Sequence, residues 1–506
     1  MSHYLFQTRI EEPIYLEPRD MSFLRTRVSE AETQAENFEC QIRAYEAQIS
    51  ELMRHRDARL VEIASCRNIL SPIRRMPLEI LSKIFQLSCL PDDGTWSHRY
   101  NLSSKVYAIC GVCVAWRKAF HGTPRLWTKL CLNRKKHHKA FWGEVEYIHE
   151  WISRSGSLPL DFYLDISLER GPIGVASQSP SSYLPILSLA PSSLPLLEDV
   201  SFNVVDLGYD DFPGKIDVFS KAPKLKHVEI DFFEPSILER LRLPMEQLTS
   251  LKINDCEDLE LFSDNPVVYV DILGQCKNLV YLHIELPWDD AFIRSCNNIS
   301  IFFPALKSLN IPCYETGDGL YILSCLTTPL LEDLTLQYCG QKSSDIVAEV
   351  TDFQRRSAFV LSSLTLDSFN GKEFTEHLIT MLSLFPSVHS FRMEEIFGVN
   401  HLLRALTCVE GDLNSILLPK LTHLALNQQR IAIGDYQLEL TRMVFSRWWL
   451  GEASDLGVDA YDVASHSNKL VRLKNLTLRG FHYNIALISE LPGLEVYYEA
   501  PRANRE

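Results

Sequence analysis

After Ser192 the chain repeats one apolar pattern, (P)-x-L-x-x-L-x-L, with polar residues in the gaps. Its copies are Leu197/Val200/Phe202, Leu225/Val228/Ile230, Leu248/Leu251/Ile253, Leu279/Leu282/Ile284, Leu306/Leu309/Ile311, Leu331/Leu334/Leu336, Leu361/Leu364/Leu366, Val388/Phe391/Met393, Leu421/Leu424/Leu426 and Leu473/Leu476/Leu478. A last strand is expected near Leu494. The eight intervals from Leu197 to Leu421 span 224 residues, a mean of 28.0. The alternation inside each copy predicts a strand with one buried face. The spacers Val267–Gln275, Ile346–Arg356, Phe374–Leu384, His401–Val409 and Gln437–Leu450 read as helices. The longest gap, from Leu421 to Leu473, reads as an inserted helix containing Trp448-Trp449, which is expected to pack, followed by a loop over Gly451–Asn468. A strand and a helix per unit predict an α/β solenoid with parallel strands on its concave face, each unit burying its apolar side against its neighbours.

With the leucines pointing inward, the residues between and beside them point to the opposite, concave face. His227, Glu229, Asp231, Lys252, Asn254, Tyr281, His283, Glu285, Asp333, Thr335, Gln337, Arg392 and Glu394 therefore make the candidate target-binding face. It is polar throughout and leans acidic in its first half. Any solvated sheet face carries similar polarity, so the pattern alone does not separate binding from solvation.

A different period governs the N-terminus. From Leu24 a heptad runs through Leu24, Ala31, Phe38, Tyr45, Leu52, Arg59 and Cys66 at one seam position. The other seam position holds Val28, Ala35, Ile42, Ile49, Arg56, Ile63 and Leu70, with no Pro or Gly until Pro72. This 3.5-residue repeat predicts a coiled-coil-like helix over 22–69, and at 1.5 Å per residue Leu24–Leu70 would be roughly 70 Å long. Two readings stay open: a homodimerisation rod, or a single helix folded against the rest of the chain. The two seam arginines and the alanines weigh slightly toward the second.

Between these regions lies Arg75-Met76-Pro77-Leu78-Glu79-Ile80-Leu81-Ser82-Lys83-Ile84-Phe85, followed by Val112-Cys113-Val114-Ala115-Trp116-Arg117 and Leu126-Trp127. Pro77 suits the first position of a helix, where its missing N–H has no intrahelical partner. Glu79 is favourable near the positive end of the helix dipole. Leu78, Leu81, Ile84, Phe85 and Cys89 form one apolar stripe; Val106, Ile109, Cys110, Cys113, Trp116 and Phe120 form a second, which predicts one helix holding both sulfurs on its apolar side. Short helices with such broad apolar faces cannot bury everything within fifty-odd residues.

The stretch Leu70–Trp127 resembles an F-box, with Met76 standing where leucine is usual, and the whole resembles the F-box sequences expanded in mushroom-forming fungi. The L-x-x-L-x-L units fall within the leucine-rich-repeat period of roughly 20–29 residues, and Cys256 and Cys339 stand at its L-x-x-L-x-L-x-x-C position. The resemblance implies a substrate-recognition adaptor of an SCF-type (cullin–RING) ubiquitin ligase. It implies docking of a Skp-type linker protein through Pro77, Ile80, Leu81, Ile84, Phe85, Val112, Trp116 and Trp127, and of an unknown protein target through the repeats. The alternative is a non-ligase leucine-rich-repeat scaffold whose F-box-like helices form an internal cap. The loop Leu90–Ser104, with Pro91-Asp92-Asp93-Gly94, lengthens the link between the helices and bears on how closely a linker protein fits.

The expected organisation is a tail over 1–21, the heptad helix over 22–69, the F-box over 70–128 and a connector with a helix over 129–157. The solenoid follows over 158–500, and then a tail over 501–506. The connector holds a strand over Trp127–Leu132, the basic run Arg134–Lys139, a helix over Phe141–Arg154 and a Gly/Pro/Ser-rich surface loop over Glu169–Ser182.

Composition adds constraints. Of 506 residues 46% are hydrophobic and 23% charged, and the net charge of −15 argues against a nucleic-acid or membrane-surface binder. Neither a membrane-spanning run nor a signal-peptide h-region is visible, so a cytoplasmic or nuclear protein is expected. Thirteen scattered cysteines offer one close pair, Cys110 and Cys113, and no second pair to complete a zinc site. With 21 glycines and no phosphate loop, nucleophile elbow or metal-ligand motif, the expectation is a non-enzyme with no catalytic residues, cofactor or metal.

Overall fold

A computed structural model describes residues 15–91, 94–96, 100, 102–133, 145–165, 186, 189–203, 215–231, 238, 240–254, 266–285, 299–312, 322–337, 343–367, 374–394, 399–408, 416–428, 436–448, 470–481 and 485–500. The basic run Arg134–Lys139, the stretch Glu169–Ser182, Cys256, Cys339, Trp449 and the loop Gly451–Asn468 lie outside them. The chain divides into two compact units, Met1–Leu81 and Ser82–Glu506.

The first unit is dominated by α1 (Pro18–Leu70), an uninterrupted helix of 53 residues. Pro18 stands at its start, and ion pairs one turn apart lie along its surface: Arg54 with Glu51 at 2.6 Å and Arg59 with Glu62 at 2.6 Å. None of its residues is buried. A 3-10 turn, Pro72–Arg75, leads into α2 (Leu78–Ser88), which crosses from the first unit into the second.

In the second unit α3 (Leu102–Val112) and α4 (Val114–His121) replace the single helix expected there. The break falls at Cys113, whose backbone is extended (φ −162°, ψ 169°) and whose Sγ accepts the Trp116 N–H at 3.5 Å. A capping sulfur at the start of α4 thus replaces a sulfur on an internal apolar stripe, and Cys113 is exposed.

The strands are β1 (Lys129–Asn133), β2 (Leu160–Asp165), β3 (Leu197–Asn203), β4 (His227–Asp231), β5 (Ser250–Asn254), β6 (Tyr281–Ile284), β7 (Ile301–Phe302), β8 (Ser308–Ile311), β9 (Leu326–Thr327), β10 (Asp333–Gln337), β11 (Ser363–Asp367), β12 (Ser390–Met393), β13 (His423–Asn427), β14 (Asn475–Arg479) and β15 (Glu495–Glu499). Thirteen of them form one sheet in chain order, β7 and β9 pairing separately in a ladder that the repeat pattern does not announce. All pairings are parallel. The connector's strand, β1, is the first strand of this sheet.

Register carries through the sheet. Val228, Leu251, Leu282 and Leu309 are partners in one row, Ile230, Ile253 and Ile284 in the next. Every apolar residue of the ten repeat copies is at most 3% exposed. Between strands lie α5 (Val145–Ser155), α6 (Pro266–Gln275), α7 (Ile322–Cys325), α8 (Ser343–Ser357), α9 (Phe374–Ser383), α10 (Val399–Leu406) and α11 (Gln437–Trp448). Their apolar stripes, such as Val350/Phe353 and Leu402/Leu403/Leu406, are buried as well, so helix and strand faces cover one another.

Two residues at the end of α11 act as staples. Arg447 is fully buried and donates to the carbonyls of Leu406 (2.6 Å), Leu417 (2.6 Å) and Leu418 (3.0 Å). Burial holds its guanidinium below the usual range, and the three carbonyls take the place of a carboxylate. Trp448 is buried and donates through Nε1 to Pro492 at 3.0 Å, as packing rather than surface.

Gly480 and Gly493 both have positive φ, +74° and +75°, but a Cβ on Gly480 would sit 1.8 Å from the Gln428 carbonyl oxygen, whereas one on Gly493 meets only Arg472 Nη2 at 4.0 Å. Gly493→Ala is expected to cost roughly 1–2 kcal/mol from left-handed strain alone. Gly480→Ala is expected to cost distinctly more and to loosen β15, read as a lower urea midpoint and faster amide exchange over Glu495–Glu499.

Candidate functional site

Two surfaces of the chain are candidates: the helical segment resembling an F-box and the polar face of the sheet. In the first, an aromatic chain forms the core. Phe85 lies 5.1 Å from the half-buried Trp116 and 5.9 Å from Phe120, ring to ring. Phe120 meets Trp127 edge-on at 5.5 Å, and Trp127 meets Trp151 of α5 at 4.7 Å. Trp127 Nε1 donates to the Phe120 carbonyl at 3.2 Å, and the Arg154 guanidinium lies 4.5 Å above its ring. Thr123 and Ser82 share a hydroxyl hydrogen bond of 2.7 Å beside this core.

The eight residues read as docking positions therefore separate. Leu81, Phe85 and Trp127 are buried, at 3%, 1% and 2% exposure. They belong to the segment's own core, within a set whose division between core and partner contact the motif leaves open. Trp116 is half-buried against Phe85. Pro77, Ile80, Ile84 and Val112 are exposed. Leu78 and Leu87 on α2, Tyr107 on α3 and Val114 on α4 are also exposed large apolar residues. The pattern match passed over them because it marks family positions without saying which side of a helix is already covered.

A cavity of about 300 Å³ opens among α3, α4 and α5, walled by Tyr107, Trp127 and Trp151, with Arg117, His121 and Arg154 beside them. Burial and the Arg154 charge keep the His121 imidazole below its ordinary pKa, so the neutral ring faces the cavity.

The loop between α2 and α3 meets the sheet. Trp96 stacks on Tyr163 at 6.5 Å and on Tyr100 edge-on at 5.2 Å. The Lys129 ammonium lies 5.3 Å from the Trp96 ring, while Tyr100 donates its hydroxyl to the Cys89 carbonyl at 2.9 Å.

On the sheet's polar face, charges are matched across neighbouring strands. Lys129 pairs with Asp161, His227 Nδ1 with Asp199 at 2.5 Å, and Lys252 with Glu229 at 2.6 Å; Asn254 donates to Asp231. The skipped Glu198 in the β2–β3 register brings Asp161 and Asp199 opposite each other. Burial lifts the Asp161 carboxyl above the usual range; the same effect on Asp199 is outweighed by the His227 hydrogen bond, which holds it low. The acidic lean of this half is thus compensated inside the face. Of the predicted face residues, His227 and Arg392 are exposed, while Glu229, Lys252, Asn254, Tyr281, His283, Glu285, Asp333, Thr335, Gln337 and Glu394 are half-buried. Asp231 is buried, a correction to its placement on a solvated surface: it sits between strands with Asn254 against it. Further along, a cavity of about 170 Å³ is lined by Arg392, Glu394, Asn427, Thr477, Arg479 and Tyr497. Arg479 reaches over the Tyr497 ring at 5.5 Å and pairs with Glu499 at 3.5 Å.

Among the described residues there is no group of three or more His, Cys, Asp or Glu suited to a metal ion, and no helix long and apolar enough to cross a membrane. No protein-family model matches the chain, and no curated protein matches it.

Two histidines of the polar face, His227 and His283, titrate in opposite senses. Burial, then the Lys252 charge, pushes His283 down to about 4 from an ordinary 6.5, so its unfolded form takes a proton first and stability falls as pH drops from about 6.5 toward 4. The Asp199 hydrogen bond raises His227, whose stabilisation is present below its unfolded value and lost as pH rises through the folded one. Between pH 7 and pH 5, His283→Gln should flatten the acid loss of stability and His227→Gln should steepen it, measured as urea midpoints.

Proposed function

We propose that this chain is a non-catalytic substrate-recognition adaptor of an SCF-type, cullin–RING ubiquitin ligase. Its F-box-like helices would dock a Skp-type linker protein, and its strand array would hold a protein target. One observation carries the reading. The helices that match the F-box pattern bury one subset of the matched residues and leave Ile80, Ile84 and Val112 exposed with Leu78, Leu87 and Val114. Large apolar side chains in this number on short helices lower their free energy when a partner covers them.

In this reading the in-register parallel strands, recurring at a mean of 28.0 residues, belong to a leucine-rich-repeat-like solenoid with the strands on its concave side. The polar rows would then meet the target. Arg392 offers exposed charge, and the Arg479–Tyr497 pair offers a stacked cation beside a hollow. The contribution to catalysis is proximity: a target held near a ubiquitin-charged enzyme needs no reactive residue from the adaptor.

A second reading, a leucine-rich-repeat scaffold with the helices as an internal cap, draws on the Trp127–Trp151 contact, which joins the helical segment to the first helix of the array. Affinity capture of a Skp-type linker protein separates the two. The wild-type chain should bind it; Ile84→Asp and Val112→Asp should each weaken binding roughly tenfold or more with little change in melting temperature. Phe85→Ala should instead lower stability by about 3–5 kcal/mol, as truncation of a buried aromatic does. Failure of the folded wild type to bind any Skp-type protein would leave the scaffold reading standing.

A further inference from the structure

Among the described residues, the seam of α1 is not buried. Val28, Phe38, Ile42, Tyr45, Ile49, Leu52 and Ile63 remain 45–68% exposed along a helix in which nothing is buried. We propose that α1 pairs with α1 of a second copy of this chain as an antiparallel coiled coil centred on Ala47.

Three features select the second copy and its direction. The first is charge. Residues 28–47 hold five acids, Glu30, Glu32, Glu36, Glu39 and Glu46, against Arg43, a net of −4. Residues 48–67 hold four arginines against Glu51, Asp57 and Glu62, a net of +1. An antiparallel pair lays each acidic half along a basic half, whereas a parallel pair sets like beside like. The second feature is side-chain size. About Ala47, Ala31 faces Ile63 of the second copy and Ala35 faces Arg59, so each small residue meets a large one. At the centre Ile42 faces Leu52 and Tyr45 faces Ile49, both apolar. The third is the pair of seam arginines. In a parallel dimer Arg56 and Arg59 would each meet their own copies in adjacent layers, at the cost of like-charge repulsion. Antiparallel, Arg56 comes over the ring of Phe38, a favourable cation–π geometry. Both arginines already hold a carboxylate on their own helix, Arg56 with Asp57 at 2.7 Å and Arg59 with Glu62 at 2.6 Å, which lowers the cost of seating them in a seam.

The two chains leave such a rod at opposite ends, about 70 Å apart. The arrangement does not depend on the ligase reading; it gives either an adaptor or a scaffold two identical binding arms.

The full-length chain carries its own probe in Cys66, an exposed seam residue. Antiparallel, two Cys66 residues are about 57 Å apart, and each lies opposite Val28 of the other copy, within disulfide reach if that position is cysteine. Under mild oxidation, the V28C chain should form a disulfide-linked dimer on a non-reducing gel, and neither wild type nor the V28C/C66S double variant should do so through these positions. Val28 is exposed, so the change leaves the helix intact, which circular dichroism checks. A wild-type dimer linked through Cys66, or a V28C/C66S dimer linked through position 28, would show a parallel pair and overturn the proposal. So would a V28C chain that stays unlinked while dimeric, or a wild-type chain that sediments as a monomer at tens of micromolar.

Discussion

Register across so many parallel strands holds because each of the ten repeat strands buries the two apolar residues of its L-x-L on one side. A slip by one position would carry both to the polar side and the polar residues into the core. Burying each such side chain is worth about 1.5–3 kcal/mol, and the penalty of a slip would recur at every strand. The same rows fix the polar face: once the leucines are placed, Asp199 must stand opposite His227 and Glu229 opposite Lys252. Pairing of charges on that face is thus a consequence of packing on the other.

Attachment of the helical segment follows from a second set of contacts. The chain of rings from Trp116 through Phe85, Phe120 and Trp127 to Trp151 uses the aromatic residues of the F-box-like pattern as internal structure. What remains exposed is aliphatic apart from Tyr107. This division gives the motif two tasks, with aromatics holding α4 to α5 and aliphatics left uncovered.

Much of this was legible in the sequence. The ten repeat copies, their strands and most intervening helices follow from periodicity, because a buried strand and an amphipathic helix leave different spacings in the chain. The long N-terminal helix was legible for the same reason. Other features were not. The break at Cys113 needed knowledge that its backbone turns extended and its sulfur caps α4. The burial of Leu81, Phe85 and Trp127 depends on which neighbours reach them, which a motif does not encode. Asp231 read as solvated because strand alternation gives a face and not what lies beside it. Arg447, surrounded by carbonyls, read as an ordinary charged residue on a helix, since its three acceptors lie 29 to 41 residues away in sequence.

The proposed adaptor role requires a linker protein to cover the helical segment's exposed aliphatic residues. Amide hydrogen exchange of the full-length chain, alone and with a Skp-type linker protein, tests it most directly. Docking through these helices should add protection over Leu78–Leu90 and over Val106–Trp116, with the strands from β3 to β15 unchanged. Protection confined to the sheet's polar rows, or no change anywhere in the helical segment, would contradict it.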